Sequence, residues 1–332
     1  MARIAAPTRR ATTRRAQNRR PNARGTPRPD RVPQAVGRVR TWTRYARAAF
    51  LIPALAYVLF VFVLPIVYNL ILSFEQTSPA TIANLFAPFA GISNYKDILV
   101  QSTTQSAIVR TFTFTFASLF FQFFIGFALA LLFNMRFPLR RVARSLIIIP
   151  WLLPLLITGF IFRFLFQTEA GAVNQILQDA HLISHPVGFL TSPGWAYFAV
   201  LVANVWLGIP FFTVLLYSAL QDVPVELKEA AMLDGANAWQ RLIRVTLPIV
   251  RPVIEVVIVL GFVFTIKVFD LVIGMTEGGP ANSTEIMAPW AYNVTFEQFE
   301  YGQGAALNTI LLLIAFVAAP VYIWLNRESL RR

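Results

Sequence analysis

Six long apolar runs constrain this chain more than any other feature, at approximately 48–73, 111–134, 145–166, 195–219, 253–275 and 304–325. A hydrocarbon core takes about 20 helical residues to cross, so each run is long enough to span a membrane. Lipid offers no partner to an unpaired backbone N–H or C=O, which leaves helices as the economical conformation. Pro53, Pro65, Pro150, Pro154 and Pro210 fall inside the runs. They would break isolated helices in water, whereas packed membrane helices resatisfy the freed carbonyls. The pattern predicts an all-α membrane protein with six transmembrane helices.

Charge sets the orientation. Only 14% of residues are charged, yet the net charge is +13, and 14 arginines from Arg3 to Arg47 precede the first run. With the amino end inside, inner segments hold 25 Lys and Arg residues, outer segments hold only Lys96 and Arg110, and Arg163 and Lys267 fall within runs. The positive-inside rule therefore puts both termini in the cytoplasm of a multi-pass protein of the cell (inner or plasma) membrane. Residues 74–110, 167–194 and 276–303 become outer segments. Residues 1–44 are rich in Arg, Ala, Thr and Pro and have too few large apolar groups to fold, so they read as a disordered, solvated cytoplasmic arm. The arm superficially resembles a transit peptide, and its arginines are potential phosphate partners for nucleic acid or anionic lipid. A cleaved signal peptide fits poorly, because the following run exceeds an h-region of about 7–15 residues. Residues 45–326 form the membrane domain and 327–332 a cytoplasmic tail.

Several chemistries are excluded. The chain has no cysteine, hence no disulfide, thiolate metal site or cysteine nucleophile. His181 and His185 are spaced as a helical metal pair, but Pro186 and the absence of a nearby third ligand favour a loop. No phosphate-binding G-x-x-x-x-G-K-[ST] loop occurs, so the chain carries no P-loop ATPase of its own. No paired acids, histidine cluster or serine–base constellation lies within the runs, which argues against an intramembrane enzyme. A proton-coupled carrier would want buried carboxylates in several spans, and Asp270 alone clearly offers one.

The polar stretch 221–250 stands out between two apolar runs. Pro224 suits a first helical turn, Glu226 and Glu229 sit where a helix dipole favours anions, and Gly235 supplies a left-handed stop. Asn237 caps a second helix with Gln240 three residues on, and Leu247-Pro248 ends it. The result is a helical hairpin whose Ala230, Ala231, Ala236 and Ala238 let another surface approach closely. Helix–glycine turn–helix also describes a DNA-reading motif, which tethering to two membrane spans disfavours.

The spacing Glu229-Ala230-Ala231, Gly235, Val245, Leu247-Pro248 resembles the EAA signature of permease subunits in binding-protein-dependent ABC importers, with valine at an isoleucine position. Gly91-Ile92-Ser93-Asn94-Tyr95, Phe269-Asp270 and Thr276-Glu277-Gly278-Gly279-Pro280 are also similar to that family, closest to its sugar and glycerol-3-phosphate branch. The resemblance covers about residues 45–325 and implies the type I importer permease fold. It also implies that Glu229, Ala230, Ala231, Asp234, Gly235, Leu247 and Pro248 form the contact with a separate ATPase. Implied partners are a second homologous permease, an ATP-binding subunit dimer that holds ATP and Mg, and an extracytoplasmic solute-binding protein docking on 167–194 and 276–303. The chain itself then needs no cofactor and catalyses no covalent chemistry.

A polar solute needs convergent groups on small-residue or irregular helix. Asn204 to Phe211 contains Gly208, Pro210 and two aromatics, and Gly261, Phe264, Thr265 and Val268 share one helix face. Aromatic and small residues in spans are otherwise ordinary packing. By resemblance to the maltose-importing branch, Leu207, Gly208, Phe211, Gly261, Phe264, Thr265 and Val268 match sugar-contacting positions. Phe211 and Gly261 lack hydroxyls found there, and Thr265 and Val268 replace amides, which argues against maltose itself. Lys267 and Asp270, spaced i, i+3, are expected to neutralise each other or meet the sister permease; a solute-facing lysine would suit an anionic substrate instead.

Overall fold

The computed structural model describes residues 51–81 and 87–325. The arginine-rich arm expected over 1–44 and the tail expected over 327–332 lie outside them. Contacts divide the chain after Val58, and the packing below concerns the unit beginning at Leu59.

All the regular elements among the described residues are helical. The apolar stretch Leu51–Leu72 (α1) has a π-helical turn at Leu59–Val63. It is followed by a short helix Ser93–Val100 (α2), a 33-residue helix Ser102–Asn134 (α3), Arg140–Leu152 (α4) and Leu155–Leu165 (α5). Then come Ala172–Asp179 (α6), Pro193–Gln221 (α7), Val225–Leu233 (α8), Ala238–Ile266 (α9), Asp270–Thr276 (α10), Met287–Tyr292 (α11) and Tyr301–Leu325 (α12). Four helices, α1, α3, α7 and α9, are each long and apolar enough to cross a membrane unaided.

Two expected spans are not continuous helices. The run 145–166 bends by 100° between α4 and α5. Leu153 and Pro154 take extended conformations there, because Pro154 lacks the N–H that would continue α4 and biases Leu153 away from helix. The run 253–275 stops at Ile266 and restarts at Asp270 as α10. No glycine or proline marks that break; α10 packs on α5 instead of continuing the line of α9.

The most extensive interface joins α3 and α7. Small residues allow it: a Cβ on Gly126 would lie 2.6 Å from Phe212 Cβ, so the two helices meet almost backbone to backbone. Polar side chains lock the register. Asn204 Nδ2 donates to Ser118 Oγ (2.8 Å) and Gln122 Nε2 donates to the Asn204 carbonyl (2.9 Å), all buried. Leu119, Phe212, Leu216 and Val257 extend the contact to α9, and Ile266, Met287, Trp290 and Leu307 join α9, α11 and α12. Trp290 Nε1 satisfies itself on Thr104 Oγ1 at 2.9 Å.

The family-like G-I-S-N-Y segment serves as a clasp. Asn94 Nδ2 donates to the carbonyls of Ser73 and Glu75 (3.0 Å each), and the Tyr95 and Ser73 hydroxyls lie 2.7 Å apart. Asn174 likewise ties 167–187 together through Thr168 and Val187. His181 and His185 lie in the irregular chain that follows α6, not on a helix.

The α5–α10 contact depends on two glycines. A Cβ on Gly159 would fall 2.8 Å from the Leu271 carbonyl oxygen and 3.0 Å from Gly274 Cα, both backbone atoms that cannot rotate away. Gly159→Val is expected to destabilise the protein by about 1–3 kcal/mol through overpacking. Thermal unfolding in detergent against wild type checks this, and an unchanged midpoint would show that the helices are free to separate.

Candidate functional site

The breaks in α4–α5 and α9–α10 open a cavity of ≈ 340 Å³. Leu207, Gly208, Phe211, Gly261, Phe264, Thr265 and Val268 all line it. The i, i+3, i+4, i+7 spacing on α9 does place one face on the cavity, although Val268 sits just past the helix end. Gly261 has a second role: a Cβ there would meet the Phe212 ring at 2.5 Å.

Two further lining residues were passed over in the sequence, Gln122 and Trp151, and the lining also takes in Pro154 and Asn204, the first residue of the candidate stretch on α7. Gln122 was legible as the lone amide in an otherwise apolar part of the second run, and Trp151 as an aromatic between Pro150 and Pro154. Trp151, Phe211 and Phe264 form an aromatic wall, with centroids 6.0 Å apart for Trp151–Phe211 and 5.4 Å for Phe211–Phe264. Such faces stack on the C–H side of a sugar ring or on other flat apolar groups. The lining contains no charged side chain. Its polar side-chain groups are instead an amide pair, a hydroxyl and the Trp151 indole N–H. Gln122 and Asn204 each use one N–H, on the Asn204 backbone carbonyl and on Ser118 Oγ, and their amide oxygens accept from no side chain or backbone donor among the described bonds. An uncharged cavity with aromatic stacking surface and free acceptors suits a polyhydroxylated solute.

Lys267 and Asp270 do not pair; the described ion pairs are Arg163–Glu277 (2.9 Å) and Arg251–Glu255 (2.7 Å). The helix break explains it. Lys267 caps the carboxyl end of α9 and Asp270 opens α10, so each charge meets the helix end of opposite sign.

The hairpin forms as local chemistry dictates at its turn. Helix α8 ends in a Schellman motif: Gly235 N–H donates to the Met232 carbonyl (3.0 Å) and Ala236 N–H to that of Ala231 (2.9 Å). This requires φ = +79° at Gly235. Asn237 and Gln240 make the capping box reciprocally at 2.9 Å, and Arg241 Nη1 reaches back to the Ala236 carbonyl. Glu229, Ala230, Ala231, Asp234 and Gly235 therefore share one projecting arm and turn.

Leu247 and Pro248 do not belong to that turn, and they do not end the second arm. Helix α9 passes straight through them by way of a π-helical turn at Leu242–Thr246, in which Leu247 N–H bonds to the Leu242 carbonyl. The wider turn admits the Pro248 ring, which has no N–H to place. Leu233 (90% exposed) and Trp239 (67% exposed) flank the turn, and neither was singled out from sequence. Large apolar side chains this bare mark a contact surface.

A helical knob with an uncovered apolar tip, set on a bundle of apolar helices around an uncharged, aromatic-walled cavity, defines a membrane transport component. The chain belongs to the family described as the binding-protein-dependent transport system inner membrane component, whose model matches residues 122–328. It is 31% identical over 240 residues to the trehalose/maltose transport system permease protein MalF of Thermococcus litoralis, covering 72% of this chain and 80% of that one. It is 30% identical over 283 residues to the diacetylchitobiose uptake system permease protein DasB of Streptomyces coelicolor, covering 84% and 86%. A match to a probable ABC transporter permease protein of Brucella suis, 31% identical over 188 residues, spans 57% of this chain and 65% of that relative. The fold is similar to a chain of a solved bacterial ABC transporter involved in the import of the acidic polysaccharide alginate, with TM-score 0.73, 24% identity and coverage of 88% and 99%.

Gly208 exists to admit Gln122. A Cβ at 208 would sit 2.3 Å from Gln122 Nε2, so Gly208→Ala is expected to push that amide off the Asn204 carbonyl. The cost is about 1–3 kcal/mol of stability. A double-mutant cycle with Gln122→Ala should recover most of it, and strict additivity in thermal unfolding would refute the coupling.

The loop after α10 gives a pH dependence. Burial, and then the charge of Glu297, push the Glu285 carboxyl up to about 7, against the opposing pull of Arg110. A raised carboxyl favours the folded loop below about pH 4.5, and that contribution is lost as pH rises through 7. Amide exchange over 277–286, corrected for intrinsic rates, should therefore show less protection at pH 8 than at pH 5. Glu285→Gln should flatten the profile.

Proposed function

We propose that the chain is one of two related permeases in an ATP-driven importer for a sugar or sugar-like solute. The carrying observation is the convergence of all seven resemblance-matched positions on one uncharged cavity with an aromatic wall. The names of MalF and DasB support a carbohydrate. Counting the bent α4–α5 pair and α12 as crossings gives six spans, and the basic residues put both termini in the cytoplasm. Trehalose, maltose or chitobiose as such does not follow. A glycerol-3-phosphate or glycerophosphodiester solute is the second reading, favoured by exposed Lys267 beside cavity-lining Val268.

The α8–α9 hairpin is the coupling element. A separate ATP-binding dimer, holding ATP and Mg, grips Glu229 to Gly235, with Leu233 and Trp239 adding apolar contact. Closure of that dimer then moves α9, whose far end lines the cavity, as a rigid lever. A solute-binding protein docks on the outer segments 167–194 and 276–303, delivering solute to the cavity. A proton-coupled carrier is less well supported. Asp270 opens a helix at an exposed site, and Glu255, overlooked in the sequence, pairs with Arg251.

Proline locks φ near −65° and removes the N–H that Gly235 donates to Met232. Gly235→Pro in the reconstituted complex is expected to lower ATP-dependent uptake more than about tenfold while membrane insertion and solute binding persist. Wild-type uptake by this variant would sink the coupling role.

A further inference from the structure

The wall of α4 and α7 that lines the central cavity continues toward the Arg140 end of α4. The helices run antiparallel: Trp151 meets Phe211, then Ile148 and Val214 share one cavity lining, then Arg144 meets Tyr217. Each step is about one helical turn. Ile148, Val214, Arg144 and Tyr217 line a second cavity of ≈ 360 Å³, joined by Arg141 and Ser145. It therefore lies one to two turns inward of the central cavity, on the same seam.

Arg144 is held there in a fixed pose. Its Nη1 donates to the Tyr217 hydroxyl, and its guanidinium carbon sits 4.8 Å from the Tyr217 ring centroid. The same hydroxyl accepts from Gln221 Nε2. Two donors point at Tyr217 Oη, none of the described bonds takes its own proton, and Arg144 Nε is buried without a partner. An arginine placed only to satisfy topology extends its head into water. This one is folded back on an aromatic ring with donors unspent, and no carboxylate lines the cavity to take them.

We propose that this second cavity is an oxyanion-binding station through which the solute leaves the central cavity on the inward side, and that the solute carries a carboxylate or phosphate. The inference rests on the importer reading above. Arg144 presents a preorganised guanidinium fork, the Tyr217 hydroxyl adds a donor and Arg141 adds charge. A solute that leaves the uncharged central cavity along this seam meets the Arg144 guanidinium here.

The test uses the whole importer complex in phosphatidylcholine nanodiscs, titrated with D-glucuronate, glucose 1-phosphate and glucose. Both anions are expected to bind more tightly than glucose, with Arg144→Met weakening them by about tenfold or more and leaving glucose unchanged. Tyr217→Phe keeps the ring and removes the hydroxyl, and should weaken the anions several-fold while leaving glucose binding unchanged. Equal anion binding by wild type and Arg144→Met overturns the station. So does loss of anion binding when phosphatidylglycerol is introduced, since a lipid headgroup would then be the occupant. Parallel proteoliposomes report ATP-dependent uptake. Uptake with Arg144-independent anion binding overturns the station alone, whereas absence of uptake for every carbohydrate overturns the importer reading and the release role with it.

Discussion

The interface of α3 with α7 depends on giving the amide N–H groups it buries in an apolar bundle a partner across the helix pair. Gln122 and Asn204 meet this by donating across the helix pair, Gln122 to the Asn204 backbone carbonyl and the Asn204 side chain to Ser118 Oγ. Glycines at 126 and 208 bring the backbones close enough for both bonds to form. A buried amide without a partner costs about 1–3 kcal/mol, so the register of α3 on α7 cannot slip by a residue without breaking these bonds. Phe211 and Leu207 owe their position at the cavity to that register, and Gly261 packs against the same Phe212 that fills the gap at Gly126.

The bundle positions its cavity by interrupting helices rather than by bending them gradually. Pro154 turns the chain by a right angle or slightly more, and Lys267 ends α9 level with the cavity. Helix ends then face a space that intact helices would fill with side chains. Because the charges at the second break are absorbed by helix termini, the cavity itself stays neutral.

Local chemistry was the legible part. Gly235, Asn237 and Gln240 act through neighbours three to five residues away, and the hairpin turn follows from those letters alone. The matched cavity residues were legible through spacing on α9 and through family pattern on α7. What the sequence concealed was non-local. The stop at Lys267 has no glycine or proline beside it and exists because α10 finds a better partner in α5. Trp151 reaches the cavity only because the chain turns three residues later. Leu247-Pro248 looked like a terminus because proline usually is one, and the π turn before it cannot be inferred from composition. Leu233 and Trp239 read as part of a polar helix until their exposure was known.

That π turn has one further consequence. A π segment is an α-helix carrying one inserted residue, so it sets the phase between the helix on either side of it. Removing one residue from Leu242–Thr246 would restore an unbroken α-helix and turn the hairpin by about 100° relative to the cavity face of α9. The azimuth at which the knob meets its partner is therefore encoded by the length of the chain between Arg241 and Leu247, independently of the side chains that make the contact.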